Sequence, residues 1–421
     1  VSLLLVIALL QAVPPEPAEL QVKGADLDLL NAVRAVSSEV ERLRGQKYDR
    51  PPIAVRAPDI MRQVAAEVRS LNALPRERLE ARGRAWADIG LGSASSPALL
   101  LRTLAEDLDG IGFDAEGNRL LVSPEMLTFD DFAFKEEEDP KSTVLAMTGV
   151  RFDEPLVGHL LVHVRQIERD GGDFLEGTTD GLLARAAWAE GEANLLAVRY
   201  LFDGMGLADE ILGSSLDPAD FLDGKLVPPS LGSLGGIEEG MVRFVYGEGF
   251  AQAVQRYLAG GWQELEKAMS RSRTTSDLLH PGRAAARPPG FPEPAPVEGM
   301  KLADTDSLGE QAVIVLVSVL TGKDNLGLQA GDGWAGDRLY RWEPASGGGG
   351  DRGITLWLTR WKSAEDAADF DYAMWRTLRA RFPDREPQES DEGEKSLRAG
   401  GRLFVIERSA TEVSVRISPA E

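Results

Sequence analysis

The sequence predicts a mainly α-helical protein that ends in a smaller α+β domain. Three observations lead there: apolar residues recur at helical spacing through most of the first 280 positions, a proline-rich stretch interrupts the chain at 286–299, and strand-like runs follow it. A length of 421 residues suits two or three domains at about 150 residues each.

The segments follow in order. Leu3 to Leu10 is an apolar run ending near Gln11-Ala12-Val13, similar to the apolar core of a secretory signal, so residues 1–13 are expected to direct export to a secreted or periplasmic location. The run is too short to span a bilayer, which takes about 20 apolar residues. Ala312 to Leu320 is the longest rival and reads as a buried element, so no integral membrane span is expected.

Residues 14–110 read as a helical N-terminal region. Leu29, Val33, Val36, Val40 and Leu43 make one stripe with Gly45 as its stop, and Asp59 to Leu71 and Ser96 to Leu108 continue the pattern. Residues 111–285 form the next unit. It opens with a strand-like Asn118 to Ser123 and an acidic stretch at 130–140 that reads as a solvated loop, followed by helical spacing at Pro155–Ile167, Leu182–Phe202 and Glu248–Met269.

Five prolines in the fourteen residues 286–299 mark a linker. In 300–421, Arg338–Trp342 and Ile354–Trp361 read as strands separated by Gly347 to Gly350. Ser363 and Asp366 cap a helix running towards Phe382, and Arg402–Ile417 reads as a hairpin. Trp334, Trp357 and Trp361 are expected in the core of this domain.

Composition narrows the chemistry. Lys and Arg number 46 against 68 Asp and Glu, a net charge of −22, which disfavours nucleic acid as a partner. The chain has no cysteine, so disulfides, thiol nucleophiles and cysteine-ligated metals are excluded. Any metal must be held by carboxylates and the three histidines.

Two of those histidines, His159 and His163, stand four apart in G-H-L-L-V-H-V-R-Q. On a helix they share a face, the arrangement that tetrahedral zinc asks of two ligands. Glu190, in W-A-E-G-E-A-N, can supply a carboxylate and complete a two-histidine, one-glutamate set; Glu192 is an alternative about 200° round the same helix. The bland alternative is a pair of helix-face histidines that bind nothing. His280, before Pro281 at a helix end, reads as a capping residue.

These residues resemble a family of mostly secreted bacterial zinc metallopeptidases of the gluzincin type. Members carry a segment close to H-E-L-T-H-A-L-Q-D-Q followed by E-G-D-A, where this chain has H-L-L-V-H-V-R-Q-I-E and E-G-E-A. The likeness extends in order through E-R-L-R-G at 41–45, I-G-F-D-A-E-G-N-R-L-L-V ending at 122, Gly260-Gly261-Trp262, T-T-S-D-L-L-H-P at 274–281, G-W-A-G-D-R at 333–338 and W-K-S-A-E-D-A-A-D-F at 361–370. It covers most of residues 27 to 375. The resemblance implies a zincin-like helical metallopeptidase core over 111–285, with zinc as the cofactor and His159, His163 and Glu190 as its ligands.

The departures fall on the chemistry. Leu160 stands where the family has the glutamate that acts as general base, so no catalytic residue is assigned. The expectation is therefore a pseudo-enzyme with a binding or scaffolding role towards a protein or peptide partner. Two alternatives stay open: a zinc-dependent hydrolase whose base has moved to Glu154 or Glu168, and a metal-free interaction module.

Overall fold

The computed structural model describes residues 27–106, 108–114, 118–127, 144, 147–170, 175, 177–214, 224–271, 273–283, 290, 291, 293–346, 352–386, 388, 389 and 394–420. The expected export signal at 1–13, the acidic stretch at 130–140, the glycine run at 347–350 and part of the linker lie outside these residues.

The N-terminal stripe forms helix α1 (Leu27–Arg44), which buries Leu29, Val33, Val36, Val40 and Leu43. Gly45 closes it at φ 72°, returning its N–H to the Glu41 carbonyl. A backbone of that hand costs glycine least, which is why the stop sits there. After strand β1 (Ile53–Arg56) come α2 (Asp59–Ala73), α3 (Arg76–Ile89) and α4 (Ser96–Ala105). Strands β2 (Ile111–Asp114) and β3 (Arg119–Val122) join β1 in a small sheet of order β1-β3-β2, with β1 parallel and β2 antiparallel to β3.

Helices α5 (Asp153–Asp170) and α6 (Thr179–Phe202) form the centre. Nearly every residue of α6 from Thr179 to Leu201 is buried, because α1, α5 and helix α9 (Gly249–Arg271) pack around it. An element apolar on all sides is what a central helix requires. Between α6 and α9 lie the short α7 (Ala208–Leu212), then α8 (Gly236–Arg243), which runs into a π-helical turn at Phe244–Glu248. Gly260 and Gly261 kink α9, and α10 (Thr275–Leu279) follows with a reciprocal Thr274–Asp277 capping box.

From Met300 onward the chain builds an antiparallel sheet of order β4-β5-β6-β10-β9-β8-β7. Its strands are β4 (Met300–Asp306), β5 (Trp334–Pro344), β6 (Ile354–Trp361), β7 (Gln388–Glu389), β8 (Lys395–Ala399), β9 (Arg402–Ser409) and β10 (Glu412–Pro419). Helices α11 (Gly309–Thr321) and α12 (Asp324–Gly331) pack with α13 (Ala364–Arg381), whose Ser363–Asp366 capping box matches the sequence reading. Trp334, Trp357 and Trp361 are buried, and Phe370 of α13 packs against the last two. The fold is mainly α with an α+β C-terminal region.

Helix α3 lies against this sheet through ion pairs, of which Arg82–Asp304 is buried on both sides. Arg82 and Arg78 each donate to Asp304 at 2.9 Å, Arg84 meets Glu343, and Asp88 receives Arg341 at 2.6 Å and Arg402 at 2.7 Å. At the start of α6, Thr179 donates its N–H and hydroxyl to Asp306, while Asp180 accepts from the N–H and hydroxyl of Thr275. The hydrophobic core runs continuously from Leu29 to Ile417. No helix among the described residues is long and apolar enough to cross a membrane.

Candidate metal centre

His159 and His163 lie one turn apart on α5, and α6 crosses so that Glu190 meets both. The two Nε2 atoms are 3.0 Å apart, and Glu190 Oε2 lies 3.3 Å from that of His159 and 3.5 Å from that of His163. A tetrahedral metal with bonds of 2.0–2.1 Å places its ligand atoms about 3.3–3.4 Å from one another. The three atoms therefore form one face of a tetrahedron of that size.

All three residues are buried, at 1% exposure for His159, 5% for His163 and 4% for Glu190. Glu190 Oε2, the oxygen facing the imidazoles, has no hydrogen-bond partner. A buried carboxylate oxygen left so is costly, and a cation among the three ligand atoms would satisfy it. Burial pushes the His159 imidazole towards its neutral form, only partly opposed by Glu190. Burial also works to raise the Glu190 carboxyl, but His163 and His159 outweigh it and hold the group well below the usual carboxylate range. Metal binding takes neutral imidazoles and an ionised carboxylate, so a cation here would replace the imidazolium charge that otherwise holds Glu190 ionised.

The surroundings supply residues that sequence reasoning missed. Gln166, three positions after His163, has its amide oxygen 2.8 Å from His163 Nδ1, and its amide nitrogen donates to Ala189 O and Glu192 Oε2 at 3.0 Å each. Asn194, one turn beyond Glu190, is fully buried beside His159 and raises its proton affinity. Neither the amide atoms of Asn194 nor His159 Nδ1 has a partner in ordinary hydrogen-bond geometry. The available signal was spacing: i+3 from His163 and i+4 from Glu190 keep both residues on the ligand faces.

Glu192, the alternative third ligand, points elsewhere. Its Oε1 accepts from Arg44 Nε at 2.9 Å and Nη2 at 2.6 Å, so it belongs to the surroundings of the site. Leu160 is wholly buried in the core. Of the two candidate relocated bases, Glu168 is exposed and accepts from the Arg50 N–H, while Glu154 accepts from the Tyr200 hydroxyl. Neither belongs to the metal-ligand group. His280 is the C-cap residue of α10, its backbone N–H returning to the Ser276 carbonyl at 3.0 Å, while its ring Nε2 lies 2.6 Å from Glu310 Oε1 of α11.

Residues 298–421 match the model of a domain of unknown function, DUF8575. No curated protein and no solved structure matches the chain.

Proposed function

We propose that this protein is a catalytically silent relative of the zinc metallopeptidases that holds a divalent metal, zinc by its donor set, at His159, His163 and Glu190, and serves a binding or scaffolding role. The observation that carries the reading is the tetrahedral spacing of the three ligand atoms around an otherwise unpartnered Glu190 oxygen. Two nitrogens and one oxygen, with no thiolate, suit zinc among the borderline metals. Such an ion lowers the pKa of a bound water and polarises carbonyls when a position is open.

Two features favour a structural ion over a hydrolytic one. Each ligand is at most 5% exposed, leaving a peptide little approach, and the position of the family's base is an aliphatic side chain packed in the core. Here the ion would pin α5 to α6, and the surface around that pair would carry the partner-binding role.

Elemental analysis of the purified chain beside the His159→Ala/His163→Ala variant tests this. About one zinc per chain, lost in the variant, is the expected result. An equal metal content in both proteins, or none in either, would overturn it. Zinc-dependent peptide cleavage by the unaltered chain would instead favour a hydrolase.

A further inference from the structure

The ligand His163 is the end of a chain of buried polar groups that reaches α1. The Gln166 amide nitrogen donates to two pure acceptors, the Ala189 carbonyl and the Glu192 carboxylate. That fixes which way the amide points, so its oxygen faces His163 Nδ1 at 2.8 Å. An amide oxygen can only accept, so Nδ1 carries the proton. In the neutral ring Nε2 then presents its lone pair to Glu190 and His159.

Glu192 is itself held from the far side. Arg44, the last residue of α1, gives it two hydrogen bonds, donates to Glu266 at 2.8 Å and lies over the Trp262 ring at 4.4 Å. Arg44, Gln166 and Glu192 are all at most 5% exposed. A buried arginine–carboxylate pair is a poor source of net stability, so its placement asks for a geometric reason.

We infer that Arg44, Glu192 and Gln166 form a positioning relay that presets the tautomer and orientation of His163 for metal binding, tying the site to the docking of α1. The inference rests on the metal reading above. Groups that orient a metal-bound histidine typically contribute 10- to 100-fold to metal affinity.

The experiment uses the full chain with Co²⁺ as the probe, together with long-range ¹H–¹⁵N spectra of the metal-free protein. His163 is expected as the Nδ1–H tautomer in the unaltered protein. Gln166→Met, which keeps the volume but removes the acceptor, is expected to mix the tautomers and weaken Co²⁺ binding by about 10- to 100-fold. Arg44→Met should act in the same direction, and the double variant should lose much less than the product of the two single losses. An Nε2–H tautomer in the unaltered protein overturns the relay even if the variants fail to fold. Unchanged Co²⁺ affinity in a folded Gln166→Met also overturns it while leaving the metal reading intact. Absence of Co²⁺ uptake by the unaltered chain overturns the metal reading itself.

Discussion

Gly191 of α6 and Gly249 of α9 are in direct backbone contact: a Cβ on Gly191 would overlap the Gly249 carbonyl, and one on Gly249 would overlap the Ala187 carbonyl. Glycine inside a helix costs about 1 kcal/mol against alanine, and here it lets two helices approach closely beside Glu190. The height at which that carboxylate meets His159 and His163 is set by this approach.

Gly191→Ala should therefore destabilise the protein by about 1–3 kcal/mol, the usual range for overpacking, and should weaken metal uptake by displacing Glu190. Denaturant unfolding and metal titration of the variant check this. Unaltered values in both would mean that the contact yields without moving the site.

Metal removal should lower the melting temperature of the unaltered protein. An ion at 100 times its dissociation constant adds about 2.7 kcal/mol, so for a chain of 421 residues a fall of about 3 °C is expected on chelation. The His159→Ala/His163→Ala variant should show no change. Calorimetry with and without chelator decides, and an equal response in both proteins would place any metal elsewhere.

A glutamate placed at position 160, where the metallopeptidases that the chain resembles carry their general base, should not confer hydrolysis. Leu160 is wholly buried, so Leu160→Glu puts a carboxyl into apolar surroundings at a cost of about 3 kcal/mol or more. Thermal unfolding and a peptide-cleavage assay are the measurements. Turnover by a stably folded Leu160→Glu protein would show that the site opens to substrate.

The joint at the start of α6 should make stability depend on pH. Burial raises the Asp180 carboxyl from 3.8 to about 7, only partly opposed by the hydrogen bonds from Thr275. Between those values the folded chain holds a proton that the unfolded chain has released. Stability therefore falls as pH rises from about 4 to about 7, by about 1.4 kcal/mol per pH unit per proton. Asp180→Asn keeps an oxygen for Thr275 and should remove that slope, leaving the share due to Asp337, whose carboxyl burial also raises. Urea unfolding at pH 5, 6, 7 and 8 would reveal an unchanged slope if Asp180 titrates normally.

Much of the fold was legible because it is local. The α1 stripe with Gly45, the capping box of α13 and the β9–β10 hairpin each depend on residues a few positions apart. Strand β4 and helix α3 carry no such local signal. Met300 to Asp306 mixes exposed and buried residues without clean alternation, and Arg82 of α3 is a buried charge, whose partner Asp304 lies more than 200 positions away.

The same division holds at the site. The sequence by itself determined that His159 and His163 share a helix face and that the donors must be nitrogen and oxygen, since helical period and the absence of cysteine are properties of the chain. Only the tertiary structure decided that Glu190 faces the imidazoles while Glu192 turns to Arg44, that the Gln166 amide oxygen faces His163 Nδ1, and that the three candidate ligands are closed from solvent. Those choices depend on how α1, α5, α6 and α9 cross, and crossing is set by close contacts such as Gly191 on Gly249 between residues far apart in the chain.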